Sequence, residues 1–379
     1  LSSNDETILA PIEDVLGKYF DYALTSETEN YYEFVVTPRF PRSLDDAFSK
    51  LYDELVPKGY QPLLIPTNGM YIMRISKLPR TGRRRRLIPA ILFIATVASV
   101  LITGYFSSDS FNDVMLELRR LGAAEYDIPV FINSIFFTLA VLVPIFIHEL
   151  GHFVTAKKHA VPTSFPMPIP APMVSPLGTF GAIIEMRFLP KTLKDLIKLG
   201  IAGPIAGTTL SLLIFLIAYT LSPTIPQDVA LKAIKEGMLV PLPFAPLGAL
   251  LITDFLLAGS NNVIIMSPAA EAAFLILIIH FANMLPIGQL DGGHVVRALT
   301  SIEIHKKLGY LSLAASLVIS FLFPSLTWLS LFAVLATVLT GLRPHIGASN
   351  LTLTLTSRDK LKYGLIYLVL IAITMPIPV

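Results

Sequence analysis

His148-Glu149-Leu150-Gly151-His152 sets two imidazoles four residues apart with a carboxylate between them. On a helix, such histidines stand one turn apart on one face, so both rings can reach a single metal ion. The intervening glutamate can take a proton from a water molecule and pass it to the leaving amine of a peptide bond. A five-residue pattern can arise by chance in a long chain. This one closes a strongly apolar stretch, where ionisable side chains are costly and by default functional.

The chain has no cysteine, so a zinc ion must be held by histidine and carboxylate, and disulfides are excluded. Two histidines leave a third protein ligand to be found and a fourth position for water. The metzincin pattern requires Gly and His where Thr155 and Lys158 stand. A gluzincin arrangement needs a downstream helical glutamate. The nearest candidate, Glu185, ends Gly178-Thr179-Phe180-Gly181-Ala182-Ile183-Ile184, which reads as a turn and short strand. Asp291 is the better ligand. It follows the apolar stretch that closes in Asn283-Met284-Leu285-Pro286-Ile287-Gly288-Gln289-Leu290, where a carboxylate is costly unless it meets a cation. Pro286 and Gly288 break the helix and let the aspartate bend toward a neighbour. The plainer reading of Asp291 is a helix cap at a membrane exit.

Asn283 suits either a donor to the developing oxyanion or a tie between two helices. His294 stands one helical turn beyond Asp291 and suits an orienting role more than ligation. His280, in an apolar stretch, either faces the metal cavity or bonds between helices.

The elements that must position these groups are membrane helices. Of 379 residues, 53% are hydrophobic and 15% charged. Uncharged stretches of roughly 20 residues suffice to cross a bilayer core. The expected spans are 87–106, 128–156, 199–221, 268–290, 308–323, 326–342 and 361–378. The near-neutral net charge of +2 gives no nucleic-acid surface. Arg80 to Arg86 is a basic juxtamembrane linker (80–86) that places the N-terminus in the cytoplasm. Alternating the spans then leaves Arg119-Arg120 as the one basic pair outside. Residues 238–258 are interrupted by Pro241, Pro243, Pro246 and Asp254 and read as interfacial or re-entrant. Were they to cross, the two motifs would face opposite sides.

Residues 1–79 read as a soluble α+β domain: a helix over Thr7–Leu24, a strand at Tyr31–Val36, a helix from Ser43 to Leu55 with Ser43 and Asp46 as its capping box, and a hairpin turning at Asn68-Gly69. Leu1 marks a processed or trimmed form, and residues 1 to 30 hold no apolar signal core. Phe165 to Met173, with four prolines, reads as an extended connecting loop. The small-residue series Gly200, Gly203, Gly207 in the third span reads as helix packing.

HELGH on one membrane helix and NMLPIGQLDGGH on a later one resemble the two signatures of the site-2 protease family, over roughly 128–300. The soluble N-terminal unit and the long interval after the third span resemble its archaeal and chloroplast-type branch. The resemblance implies zinc on His148, His152 and Asp291, with Glu149 as the catalytic base. It also implies a strand including Gly178, Phe180 and Gly181 that receives substrate in extended form. The implied partners are the lipid bilayer and a single-span transmembrane protein substrate, with no nucleic acid.

The combined expectation is an all-α polytopic membrane protein of about seven transmembrane helices, with a small N-terminal soluble α+β domain and a short strand element near the active site. Residues 87–379 would form a transmembrane metalloprotease domain doing regulated intramembrane proteolysis, multi-pass, with N-terminus and active site toward the cytoplasm. The rival classes are an ion or solute transporter using intramembrane His and Asp residues, and a non-catalytic zinc-binding scaffold.

Overall fold

The polar N-terminal residues build a sheet with two helices on it, and the apolar remainder is mostly helical. The structure, a computed structural model, describes residues 6–78, 87–122, 126–164, 166–184, 186, 188–257, 259–340 and 345–379. The basic run 80–86 and Glu185 lie outside the described residues.

In the N-terminal unit, α1 (Glu6–Leu16) is followed by β1 (Phe20–Glu27), β2 (Tyr31–Pro38), α2 (Leu44–Leu55), β3 (Tyr60–Thr67) and β4 (Met70–Lys77). The helix expected to run to Leu24 stops at Leu16. Its continuation enters β1 instead, where Phe20 pairs with Pro38 and is fully buried. The helical spacing of Tyr19 and Phe20 was a coincidence of a turn and a strand start. Ser43 caps α2, its hydroxyl accepting from Asp46 N at 3.3 Å. Asn68 and Gly69 turn the β3–β4 hairpin with φ of 40° and 83°, as a tight hairpin requires. The strand order is β1-β2-β4-β3. On one face Phe34, Leu64 and Met73 meet Phe48, Leu51 and Leu55 of α2 in a buried cluster that also takes in Phe188.

The outer edge of β3 is not free. Leu64 N donates to Ser349 O at 2.8 Å, and Leu351 N donates to Leu64 O at 3.0 Å. Tyr52 donates to Leu189 O, and Lys191 bridges to Asp53 at 2.9 Å. The N-terminal unit therefore grips residues 188–191 and 349–351 of the helical part.

That part begins with α3 (Leu87–Arg120) and α4 (Val130–Lys158), followed by the hairpin β5 (Met167–Pro170) and β6 (Thr179–Ile183) and by α5 (Leu193–Thr220). These three helices are long and apolar enough to cross a membrane. The proline-rich stretch expected as a connecting loop instead supplies β5, with Pro168 opposite Ala182 and Pro170 opposite Thr179. A two-stranded hairpin tolerates proline because one edge of each strand needs no donor.

Then come β7 (Thr224–Pro226), α6 (Gln227–Lys235), β8 (Phe244–Pro246), α7 (Leu247–Leu257) and β9 (Asn262–Ile264). The chain continues through α8 (Pro268–Asn283), α9 (Asp291–Leu299), α10 (Ile302–Leu322), α11 (Thr327–Thr340), α12 (Ser357–Thr374) and β10 (Pro376–Pro378). Helix α8 is an apolar helix of 16 residues. It ends at Asn283 where Pro286 and Gly288 interrupt, and a new helix starts on Asp291. Among the described residues of 238–258 no helix is long enough to cross: β8 pairs with β10, and α7 has 11 residues.

Candidate metal centre

Helix α4 carries His148 and His152 one turn apart, as the spacing requires. Their ring centroids lie 4.8 Å apart. Asp291 enters from the first turn of α9. His148 Nε2 is 3.0 Å and His152 Nε2 3.2 Å from its carboxylate, and the two Nε2 atoms are 3.1 Å from each other. His152 Nδ1 donates to Leu199 O at 2.9 Å, which leaves Nε2 as a bare acceptor.

Acceptors facing a carboxylate at such distances repel unless a proton or a metal cation stands between them. Tetrahedral zinc with bonds of roughly 2.0–2.1 Å would separate its ligand atoms by about 3.3 Å, close to the spacing seen. Among the described residues these three form the group of His, Asp or Glu side chains able to hold a metal ion, with ligand atoms within 4.8 Å of one another. The donor set fits zinc.

The surroundings hold the ligands in place. Asn283 Nδ2 donates to Asp291 Oδ2 at 2.5 Å and lies 3.4 Å from His148 Nε2, so this side chain joins the ligand cluster directly. His280 stacks on His148 with planes 7° apart and lies 3.3 Å from Ser211 Oγ, so it is both a cavity residue and an interhelical contact. Glu149 is buried at 7% exposure and lines the cavity beside the histidines.

That cavity has a volume of about 530 Å³, and its wall includes Asn283, His294, Phe180, Gly181 and Ala182. Gly181 has φ +91° with open space where a Cβ would be. Gly178 does a different job. A Cβ there would meet Ser99 O at 2.8 Å, and Ser99 Oγ donates to Gly178 O at 2.6 Å, so it docks the hairpin on α3. Of the three strand residues singled out, Phe180 and Gly181 thus face the site and Gly178 anchors the hairpin.

The glycine series on α5 lies closer to the chemistry than packing alone would place it. A Cβ on Gly203 would fall 2.1 Å from His152 Nε2, one on Gly207 2.6 Å from His280 Cε1, and one on Gly200 3.0 Å from His294 Cβ. A Cβ on Gly151 of α4 would fall 2.7 Å from Ala202 O, so the two helices cross nearly backbone to backbone. The signal was present as small residues three and four apart, but nothing in the sequence tied them to the histidines and Asp291. Gly203→Ala is expected to push the His152 ring off Leu199 O and weaken zinc binding about 10–100-fold. Gly364→Ala, in open space on α12, should leave it unchanged. Metal titration of both variants checks this, and equal affinities would refute it.

Residues 136–323, about half of the chain, match the family model described as peptidase family M50. Through this region, which encloses every residue of the metal centre, the chain belongs to that family, the site-2 proteases. The chain is similar to the probable zinc metalloprotease EGY2, chloroplastic, of Arabidopsis thaliana: 30% identity over 170 residues, 44% of this chain and 29% of that protein. It is also similar to the probable zinc metalloprotease EGY1, chloroplastic, of Oryza sativa subsp. japonica, with 33% identity over 156 residues, 40% of this chain and 25% of that one. EGY1 of Arabidopsis thaliana is 32% identical over 151 residues. The matches thus span under a third of these curated relatives.

Proposed function

We propose that this chain is an intramembrane zinc endopeptidase that hydrolyses peptide bonds in membrane-spanning helices of substrate proteins. The observation that carries the reading is the meeting of His148, His152 and Asp291 beside Glu149, on a cavity reached from an apolar helix. A zinc ion on those three ligands would bring the pKa of water near neutrality and polarise a peptide carbonyl.

The chain's own groups do the rest. Glu149 accepts a proton from the attacking water and delivers it to the leaving nitrogen. Asn283 holds the Asp291 carboxylate in its ligand orientation, and Leu199 O holds the His152 ring. A helical peptide bond must unwind before it can be cut, and β6, which among the described residues pairs with the single strand β5, is the strand beside the cavity that would take the extended backbone.

The substrate is a single-span protein cut near the cytoplasmic end of its helix. The arrangement is seven spans: α3, α4, α5, α8 with its irregular extension, α10, α11 and α12. The N-terminal unit and the metal centre face the cytoplasm.

The full chain in lipid vesicles, given a single-span reporter helix, should cut it. Cutting should stop on chelation and resume on zinc addition. Zinc-loaded protein that leaves a panel of such helices intact would refute the reading.

A further inference from the structure

His345 stands outside the region matched to the family and outside the metal centre, yet it reaches the cavity through one hydrogen bond. It is buried at 8% exposure, and its Nε2 lies 2.6 Å from His294 Nδ1. Its other nitrogen is already assigned: Gly347 N donates to His345 Nδ1 at 3.0 Å. An atom that accepts a backbone N–H carries no proton of its own, so in neutral His345 the proton sits on Nε2. Burial pushes the His345 pKa down, to about 2, which keeps the ring neutral.

The bond between the rings therefore has a direction: His345 Nε2–H donates and His294 Nδ1 accepts. His294 then bears its own proton on Nε2. His294 lines the catalytic cavity one helical turn from Asp291, and Nε2 is the nitrogen left to meet it.

We propose that His345 is a positioning residue that locks His294 as the Nε2–H tautomer, so that His294 presents a fixed hydrogen-bond donor to a peptide carbonyl oxygen in the cavity. The inference deepens the protease reading and rests on it. A neutral donor held before the substrate arrives stabilises negative charge as it builds on that oxygen, without reorganisation. The locking residue is itself held. Arg297 Nε donates to His345 O at 2.8 Å, and Arg297 Nη2 donates to Ile346 O at 2.6 Å. A few residues on, Ser349 and Leu351 pair with Leu64 of β3. Gly347 permits the turn between these anchors with φ +105°.

Three variants of the full chain in vesicles test this. In His345→Gln the amide Nε2 can still donate to His294 Nδ1. In His345→Glu an ionised carboxylate can only accept, so His294 must carry a proton on Nδ1 and, as a neutral ring, turns a bare nitrogen toward the cavity. His345→Phe keeps the ring without the bond and serves if the Glu variant does not fold. The readouts are ring 15N shifts of His294, assigned by loss in His294→Gln, and kcat and KM on the reporter helix at matched zinc content.

Wild type and His345→Gln should show the Nε2–H tautomer, with kcat within about 3-fold of each other. His345→Glu should show the flipped tautomer and lose about 10-fold or more in kcat with KM little changed, and the Phe variant should fall between. Two results would overturn the proposal: a wild-type His294 protonated on Nδ1, or a flipped or unlocked variant that cuts at the wild-type kcat. If the wild type cuts nothing, the protease reading fails on its own, whereas the tautomer shifts are read without any cleavage.

Discussion

Glu149→Gln is expected to abolish cleavage of a reporter helix while zinc remains bound at one per chain. Glutamine keeps the size and hydrogen-bonding reach of the side chain but cannot accept the proton that the attacking water must lose. General-base assistance is worth about 10²–10⁴-fold. Because Glu149 is not among the three side chains grouped to hold a metal ion, metal content should not follow activity. Both quantities are measured on the same preparation, rate by product formation and zinc by elemental analysis. A variant that cuts at the wild-type rate would remove Glu149 from the mechanism, and one that loses its zinc would make Glu149 part of the metal shell.

Asp291→Ala is expected to fail at the earlier step. It leaves His148 and His152 with bare nitrogens 3.1 Å apart and removes the acceptor of Asn283. Two neutral imidazoles do not replace a three-ligand site, and zinc affinity should fall by about 100-fold or more, with cleavage lost in parallel. Competition against a chelator of known affinity measures the first effect. Zinc held as tightly as in the wild type would exclude Asp291 as a ligand. The two substitutions thus divide the site: one keeps metal and loses rate, the other loses both.

The centre was legible in the sequence because its chemistry constrains residue type at short range. Two histidines four apart need only a helix to meet, and Asp291 stood out because a carboxylate after an apolar stretch demands a partner. The Pro286–Gly288 interruption was readable too, since proline and glycine act locally, and α9 does begin on Asp291. Ser43 and Asn68-Gly69 were legible for the same reason. What was hidden depends on contacts between distant segments. Tyr19 and Phe20 fit a helical spacing, and only the pairing of Phe20 with Pro38 makes them the start of a strand. His345 gave no signal, because its meaning lies in a ring 51 residues away. The glycines of α5 were visible as small residues, but a spacing of four says that something comes close without saying what.

A helix face built from absent side chains has no capacity to be adjusted. Along α5, a Cβ added at Gly203 or Gly207 would fall well under 3.0 Å from the ring of His152 or His280, and one at Gly200 would lie 3.0 Å from His294, so these three positions take no larger residue without displacing a side chain of the centre. The cavity lining itself includes side chains that can be exchanged: Phe180 and Met186 around the hairpin, Leu199 on α5, Phe332 and Leu335 on α11. If the chain is the proposed protease, selectivity among substrate sequences would be set there, and changes of preference between related chains should concentrate in those positions while the α5 glycines stay fixed.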